Sequence, residues 1–360
     1  SGKTFVILTR PGYPYDRKDS LGSPCNDITK YDGLDYHHIQ TPSSKIKLSS
    51  YFNEAASKIE RFAESHQVNS VHAASNYVNA LPALLAARNL GLNFNYEIRG
   101  LWDMTRATKV EGYENSERYN VGMSLEYLVA RRADRVLCIS KSLRTHLVNN
   151  NVIKSNIALL PNCVNESTFK KIRDSNIIKH HEFTIGYAGT LNEYEGLDVL
   201  VQAIHLMKCK GVFINAKIIG TGPHYPLLYK LVDKLTLTKQ IKFIGKLDPL
   251  TARKKLSKVH LTVIPRKPYN VCKTVPPIKV IEAIALRLPV VISNLPALRD
   301  EIQYCNQSCI FEPYESQALA NTIEKYYYNF KSGNITNGHN IDNCNISLNR
   351  YWHNYIELLA

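Results

Sequence analysis

Short apolar runs alternate with longer stretches in which apolar residues return every three or four positions, and this rhythm holds over most of the chain. Thr4–Thr9 reads as a strand, residues 47–65 as an amphipathic helix, Ser70–Ala73 as a strand and Leu81–Leu90 as a helix that stops at Gly91. Phe94–Ile98 is a strand, Ser124–Arg132 a helix and Arg135–Ile139 a strand. Lys141–Val148 is a helix with Ser140 as its N-cap, and Ile157–Leu160 is a strand closing at Pro161-Asn162. Strands alternating with helices predict a doubly wound α/β domain.

A polar, irregular stretch, Asn165–Glu182, reads as a linker, after which the rhythm resumes. Strands are expected at Thr184–Ala188, Asn215–Ile219, Ile241–Phe243, Leu261–Ile264 and Val290–Ile292. Helices are expected at Gly196–Met207, Tyr225–Lys234, Ala252–Ser257, Ile278–Leu286 and Ala318–Asn329. The division is therefore a first domain over 1–165 and a second over 166–345, two successive open α/β domains facing a cleft. Residues 331–345 are rich in Asn and Gly. Helical character returns near the end, with Trp352, Tyr355 and Leu358 on one face.

A length of 360 residues fits two domains, and no run of about 18 apolar residues signals a transmembrane helix. The chain opens Ser1-Gly2-Lys3 without a signal-peptide pattern, and a cytoplasmic location is expected. The formal charge is +14, with 20 cationic against 15 anionic residues up to position 165 and 25 against 16 beyond it. An excess spread over both halves suits anionic ligands or peripheral contact with an anionic membrane. No zinc-finger spacing, aromatic RNA-binding signature or basic heptad region supports nucleic acid as a partner. The eight cysteines are scattered without a C-x-x-C, a pattern of reduced thiols rather than disulfides or a zinc site.

The richest stretch is Val275-Pro276-Pro277-Ile278-Lys279-Val280-Ile281-Glu282. It sets Lys279 near a helix start, where the helix dipole favours an anion. Glu282 follows three residues later on the same face, suited to accept hydrogen bonds from a ribose diol. A solvated Lys and Glu at an ordinary helix start fits this segment equally well. Gly189-Thr190 ends one strand, and Gly220-Thr221-Gly222-Pro223 ends the next; both turns bring backbone N–H groups toward a phosphate, or are plain strand–helix turns. The second is not a G-x-G-x-x-G fingerprint, because position 225 is Tyr. Pro265-Arg266-Lys267 puts cations at a strand's carboxyl end, where Arg266 and Lys279 together can neutralise a diphosphate, unless the loop is merely solvated. In the first half, His72, Glu97, Arg99, Trp102 and Asp103 cluster at two strand ends.

Taken together, Y-A-G-T-L-x-x-Y-E-G-L-D at 187–198, I-G-x-G-P at 219–223, P-R-K at 265–267 and P-P-I-K-V-I-E-A at 276–283 resemble the second domain of retaining GT-B glycosyltransferases of family 4. Y-E-I-R-G-L-W-D at 96–103 and L-P-N-C-V-N at 160–165 are similar to the same family, in its bacterial exopolysaccharide and cell-surface glycan branch. The resemblance implies two Rossmann-like domains, with a nucleotide sugar in the second, an acceptor mainly in the first, and the last helix, 346–360, crossing back onto the first. It implies that Glu282 meets the ribose, that Ile278, Thr190, Gly189, Gly220 and Gly222 border the nucleotide, and that Arg266 and Lys279 face the diphosphate. Arg99 stands where many relatives carry a His reaching the donor sugar. Gly12, Tyr13, His72, Glu97 and Asp103 fall on the acceptor or sugar side.

The chain departs from the family pattern at Thr274, where a first Glu is usual, and at Thr190 and Glu195, where two phosphate-binding cations are usual. The loop Pro11-Gly12-Tyr13-Pro14 has one Gly in place of a pair. The resemblance implies retaining transfer from a UDP-linked rather than a GDP-linked sugar to a glycan or lipid-linked glycan. No resident cofactor or metal is expected, and the chain holds no Asp-x-Asp. The alternatives are a non-catalytic nucleotide-sugar-binding subunit and a GT-B-like epimerase.

Overall fold

The computed structural model describes residues 5–16, 26–175, 177–302 and 308–333. The described part separates into two compact units, dividing at Leu159/Leu160, with Ile139–Leu143 grouped with the second.

The first unit opens with a small three-stranded sheet of β1 (Ile7–Leu8), β2 (Ile28–Tyr31) and β3 (Leu34–His37), in the order β1-β3-β2. The β2–β3 hairpin turns on Asp32 and Gly33, both at positive φ (50° and 79°), as a two-residue turn of this hand requires. Then follow α1 (Leu48–Ser65), β4 (Ser70–Ala74), α2 (Tyr77–Asn89), β5 (Asn93–Ile98), α3 (Trp102–Ala107), α4 (Glu117–Arg132), β6 (Arg135–Cys138), α5 (Lys141–Asn149) and β7 (Ile157–Leu159). Strands β4 to β7 form a parallel sheet in chain order. Helix α1 buries Tyr51, Phe52, Ala55, Ala56, Ile59 and Ala63, one stripe at helical spacing, against α2. Helix α2 is apolar nearly all round because it lies under α1 and α4 and over β4 and β5.

The second unit contains α6 (Glu166–Asp174), β8 (Thr184–Ala188), α7 (Leu197–Cys209), β9 (Asn215–Ile219), α8 (Tyr225–Lys234), β10 (Ile241–Gly245), α9 (Pro249–Leu256) and β11 (Leu261–Ile264). It continues with α10 (Asn270–Thr274), α11 (Ile278–Ala285), β12 (Val290–Ser293), α12 (Pro296–Ile302), β13 (Ser308–Phe311) and α13 (Ser316–Lys331). Its six parallel strands run β10-β9-β8-β11-β12-β13. Counted from β8 as the first strand, that is the 3-2-1-4-5-6 order of a doubly wound sheet. The order reverses between β8 and β11, where such sheets take ligands at the carboxyl ends. Strand β11 is buried at every position, as expected for a central strand covered on both faces. Ile185, Tyr187, Leu200, Ile204, Ile218 and Val263 are at most 1% exposed and form the core.

Several elements differ from the expectations. The stretch read as a linker contains α6, capped by Asn165, whose side chain accepts from the Thr168 amide. It escapes notice because only Phe169 and Ile172 are buried in nine residues. Trp102 and Asp103 begin a helix rather than continuing a strand-end loop. Helix α4 starts at Glu117, capped by the Ser116 hydroxyl, seven residues before the apolar periodicity is obvious. The β2–β3 hairpin, α10, α12 and β13 were not expected. The helix read over 346–360 lies outside the described residues. Among the described residues no helix is long and apolar enough to cross a membrane.

Candidate active site

The carboxyl ends of β8, β9 and β10 open on a cavity of about 550 Å³. Gly189 and Thr190 after β8, Thr221 and Gly222 after β9, Lys246 and Leu247 after β10, and Arg253 and Glu282 from two helices line it. The floor is backbone against backbone. The Gly189 amide donates to the Ile219 carbonyl (2.9 Å) and the Gly220 amide to the Gly245 carbonyl (2.8 Å). Gly220 has φ +131°, and a Cβ there would overlap the Gly189 carbonyl oxygen. The Leu191 amide donates to Thr221 (3.1 Å). Among the described residues, the floor amides of Thr190, Thr221 and Gly222 donate to no protein acceptor, which leaves these N–H groups open to an anion.

One wall carries Glu282 and Arg253. Both the Nε and the Nη2 of Arg253 donate to Oε1 of Glu282, at 2.9 and 2.7 Å. The Arg253 guanidinium also lies over the Phe169 ring, 5.1 Å from its centre. Arg253 was not anticipated. Its signal was Asp248-Pro249: the Asp248 side chain accepts from the Thr251 amide (2.9 Å) and Pro249 begins the helix, which starts α9 three residues earlier than expected.

Behind Gly189 lies a buried ion cluster. The Glu195 carboxylate, 4% exposed, meets the Lys279 ammonium through Oε2 (2.6 Å) and the Arg266 Nη2 through Oε1 (3.0 Å). Lys279 also donates to the Tyr187 hydroxyl (2.8 Å) and lies over that ring. Its Nζ would be 3.0 Å from a Cβ at Gly189, so this glycine is what lets the ammonium approach the strand end. The Arg266 Nη1 donates to the Val275 carbonyl (3.1 Å), and its guanidinium covers the Tyr194 ring. Burial alone would raise the Glu195 carboxyl, but Lys279 and Arg266 outweigh it and hold it at about 2. Burial pushes the Lys279 ammonium down, against the pull of Glu195.

This arrangement places the second-unit residues singled out from sequence. Gly189, Thr190, Gly220, Gly222 and Glu282 line one cavity. Lys279 stands directly behind Gly189, and Arg266 joins it through Glu195, outside the cavity lining. The basic loop is not solvated: Arg266 and Lys267 are 9% and 7% exposed, and Lys267 pairs with Asp198 (3.0 Å). Ile278 is the first residue of α11, half exposed and outside the cavity lining. Thr274 ends α10, its hydroxyl turned back to the Asn270 carbonyl (2.9 Å). Glu195, noticed in the sequence only as a missing cation, is the carboxylate that joins Arg266 to Lys279.

In the first unit, His72, Glu97 and Arg99 converge. Glu97, buried, accepts from the His72 Nε2 (3.0 Å) and the Arg99 Nε (2.6 Å). Burial would raise its carboxyl, but His72 and Arg99 hold it at about 2. Asp103 accepts from the Tyr113 hydroxyl (2.6 Å). Gly12, at φ +86°, packs on the Pro42 carbonyl in a turn where Arg10 grips Asp16 (2.7 Å), and the Tyr13 carbonyl accepts from the Thr9 hydroxyl. Among the described residues no group of three or more His, Cys, Asp or Glu side chains is set to hold a metal.

Comparison with known proteins agrees with this fold. Residues 8–168 match the family "Glycosyltransferase Family 4", and residues 168–333 match "Glycosyl transferases group 1". The capsular polysaccharide biosynthesis glycosyltransferase CapM of Staphylococcus aureus is 27% identical over 290 residues, 76% of this chain and 70% of that protein. Among solved structures, sucrose-phosphate synthase of Thermosynechococcus elongatus superposes with a TM-score of 0.75 at 16% identity, over 98% of this chain and 87% of that one. HepE of Anabaena, solved in complex with UDP, superposes with a TM-score of 0.70 at 15% identity, over 90% and 85%. Two glycosyltransferase domains end to end over residues 8–333, each built on a parallel sheet flanked by helices, make this chain a GT-B glycosyltransferase.

Proposed function

We propose that the chain is a retaining hexosyltransferase that needs no metal and moves a sugar from a UDP-linked donor to a glycan or lipid-linked glycan in bacterial surface polysaccharide synthesis. The observation that carries this reading is the cavity at the carboxyl ends of β8, β9 and β10, with a carboxylate on one wall and unengaged amides at its floor. Glu282 accepts from the ribose diol through Oε2, because Arg253 occupies only Oε1. The amides of Thr190, Thr221 and Gly222 and the Lys279 ammonium meet the diphosphate. Negative charge grows on that diphosphate as the anomeric carbon takes on oxocarbenium character, and fixed donors there lower the barrier. The departing phosphate takes the acceptor's proton on the same face, so no separate general base is required.

The UDP complex of HepE and the polysaccharide role named for CapM support the donor and acceptor classes. The glycosyltransferase matches do not favour a non-catalytic subunit. Contact with the acceptor or the transferred sugar falls to the first unit through Gly12, Tyr13, His72, Glu97 and Asp103, with Arg99 reaching the donor sugar. The +14 charge suits a cytoplasmic protein resting on the anionic inner face of the plasma membrane.

A thermal-shift panel of UDP, GDP and their sugars tests the donor, since a bound ligand stabilises according to its affinity. Stabilisation by UDP compounds is expected; none by any nucleoside diphosphate sinks the reading. The anomeric configuration of the transferred sugar, read by NMR, tests retention.

A further inference from the structure

The two cations of the buried cluster are not equivalent. Arg266 faces away from the cavity lining: two of its five N–H donors go to Glu195, a third to the Val275 carbonyl, and its face lies on Tyr194. Lys279 has three N–H donors, and its partners among the described residues, Glu195 and Tyr187, use two of them. Its ammonium abuts Gly189, at the cavity floor. Two cations and one carboxylate leave the cluster one net positive charge.

We propose that Glu195 is a positioning residue that holds Lys279 charged and aimed past Gly189 at the anion taken by the cavity, with Arg266 as the fixed second cation behind it. The inference rests on the nucleotide-sugar reading and adds to it. The positive charge expected at positions 190 and 195 is delivered here from α11, and position 195 has become the carboxylate that steers it. The charged and titratable groups facing Lys279 are Glu195, Arg266, Tyr187 and Cys272. Cys272 and Tyr187 are uncharged at neutral pH because burial raises both. Glu195 and Arg266 therefore set the protonation of the lysine from opposite sides.

Two substitutions push the same amine in opposite directions. Glu195→Gln leaves Lys279 beside an unopposed guanidinium, so it should lose its proton at lower pH than in the wild type. Arg266→Gln removes the repulsion, so it should keep its proton to higher pH. Labelling of Lys279 by acetic anhydride between pH 6 and pH 10, read by mass spectrometry, measures this without any ligand. Calorimetric titration with UDP over the same range measures the consequence. Affinity falls about tenfold per pH unit above the amine's midpoint. That fall should begin earlier in Glu195→Gln. In Arg266→Gln affinity at pH 7 should drop, because the cluster is then neutral.

An unchanged labelling midpoint in both variants, or shifts in the same direction, overturns the proposal. So does a shifted midpoint with an unshifted UDP curve. If Glu195→Gln does not fold, Arg266→Gln alone decides through the sign of its shift. Absence of UDP binding to the wild type at every pH overturns the nucleotide reading instead, and the amine titration still shows whether Glu195 governs the lysine.

Discussion

Arg253 grips Glu282 by one oxygen. Its Nε and Nη2 converge on Oε1, and neither bond uses Oε2. The carboxylate is thereby fixed in orientation with half its accepting capacity open. Glu282→Ala should weaken UDP binding while leaving the fold intact, because both residues are partly exposed at the cavity wall. Arg253→Ala should also weaken it, by about tenfold, the loss of roughly one oriented hydrogen bond. The double variant should be little worse than Glu282→Ala, since Arg253 acts through that carboxylate. Calorimetry on the three variants checks this, and fully additive losses would separate the two residues.

Lys279 and Arg266 should fail in different ways. Lys279→Ala should still fold, at some cost in stability because it also breaks a buried pair, bind UDP moderately less well and lose turnover by about 10²-fold, as when one preorganised donor is removed. Arg266→Ala should lose about 3 kcal/mol of stability, the lower end for a broken buried pair, because Lys279 still faces Glu195. Urea titration beside steady-state kinetics distinguishes them. A Lys279→Ala enzyme with wild-type turnover would remove that residue from the leaving-group site.

Stability should be greatest near pH 5. Glu97 and Glu195 sit at about 2 when folded, below the ordinary glutamate value. Their contribution is present above about pH 4.5 and lost as the pH falls through that value toward 2. Burial raises Glu126 to about 7, and burial with the nearby Asp300 raises Glu301 to about 8. These two have the opposite sign: their contribution is intact below about 4.5 and lost as the pH rises toward 7 and 8. Each pKa unit is about 1.4 kcal/mol. Glu126→Gln and Glu301→Gln should flatten the neutral limb of a plot of melting temperature against pH, and Glu97→Gln should flatten the acid limb.

Transfer should survive EDTA. The cations assigned to the diphosphate are side chains, and the chain has no Asp-x-Asp. Transfer abolished by EDTA and restored by Mg²⁺ or Mn²⁺ would overturn the metal-free reading.

Strands such as Thr184–Ala188, Asn215–Ile219 and Leu261–Ile264 were readable to the residue, because each is a short, mostly apolar and β-branched segment bounded by turn or loop residues. Helices with polar first turns were read short: α4 and α9 begin at their caps, Ser116 and Asp248, before any apolar periodicity. The Asp32-Gly33 hairpin carried a clear turn signal, but its strands are exposed and show no apolar run. In the site, Lys279 and Glu282 stood out through helix-start chemistry. Glu195 did not, because a charge buried against partners 71 and 84 positions away leaves no local pattern.

The glycine-built floor has a consequence for how this pocket can change. At Gly220 an added Cβ would overlap the Gly189 main chain, and at Gly189, with φ +156°, it would press on the Lys279 ammonium, so neither position has a side chain to exchange. Variation in what the pocket accepts is therefore confined to its rim, from Lys246 and Leu247 to Arg253. A library aimed at a different nucleotide base should randomise that rim and leave the floor alone.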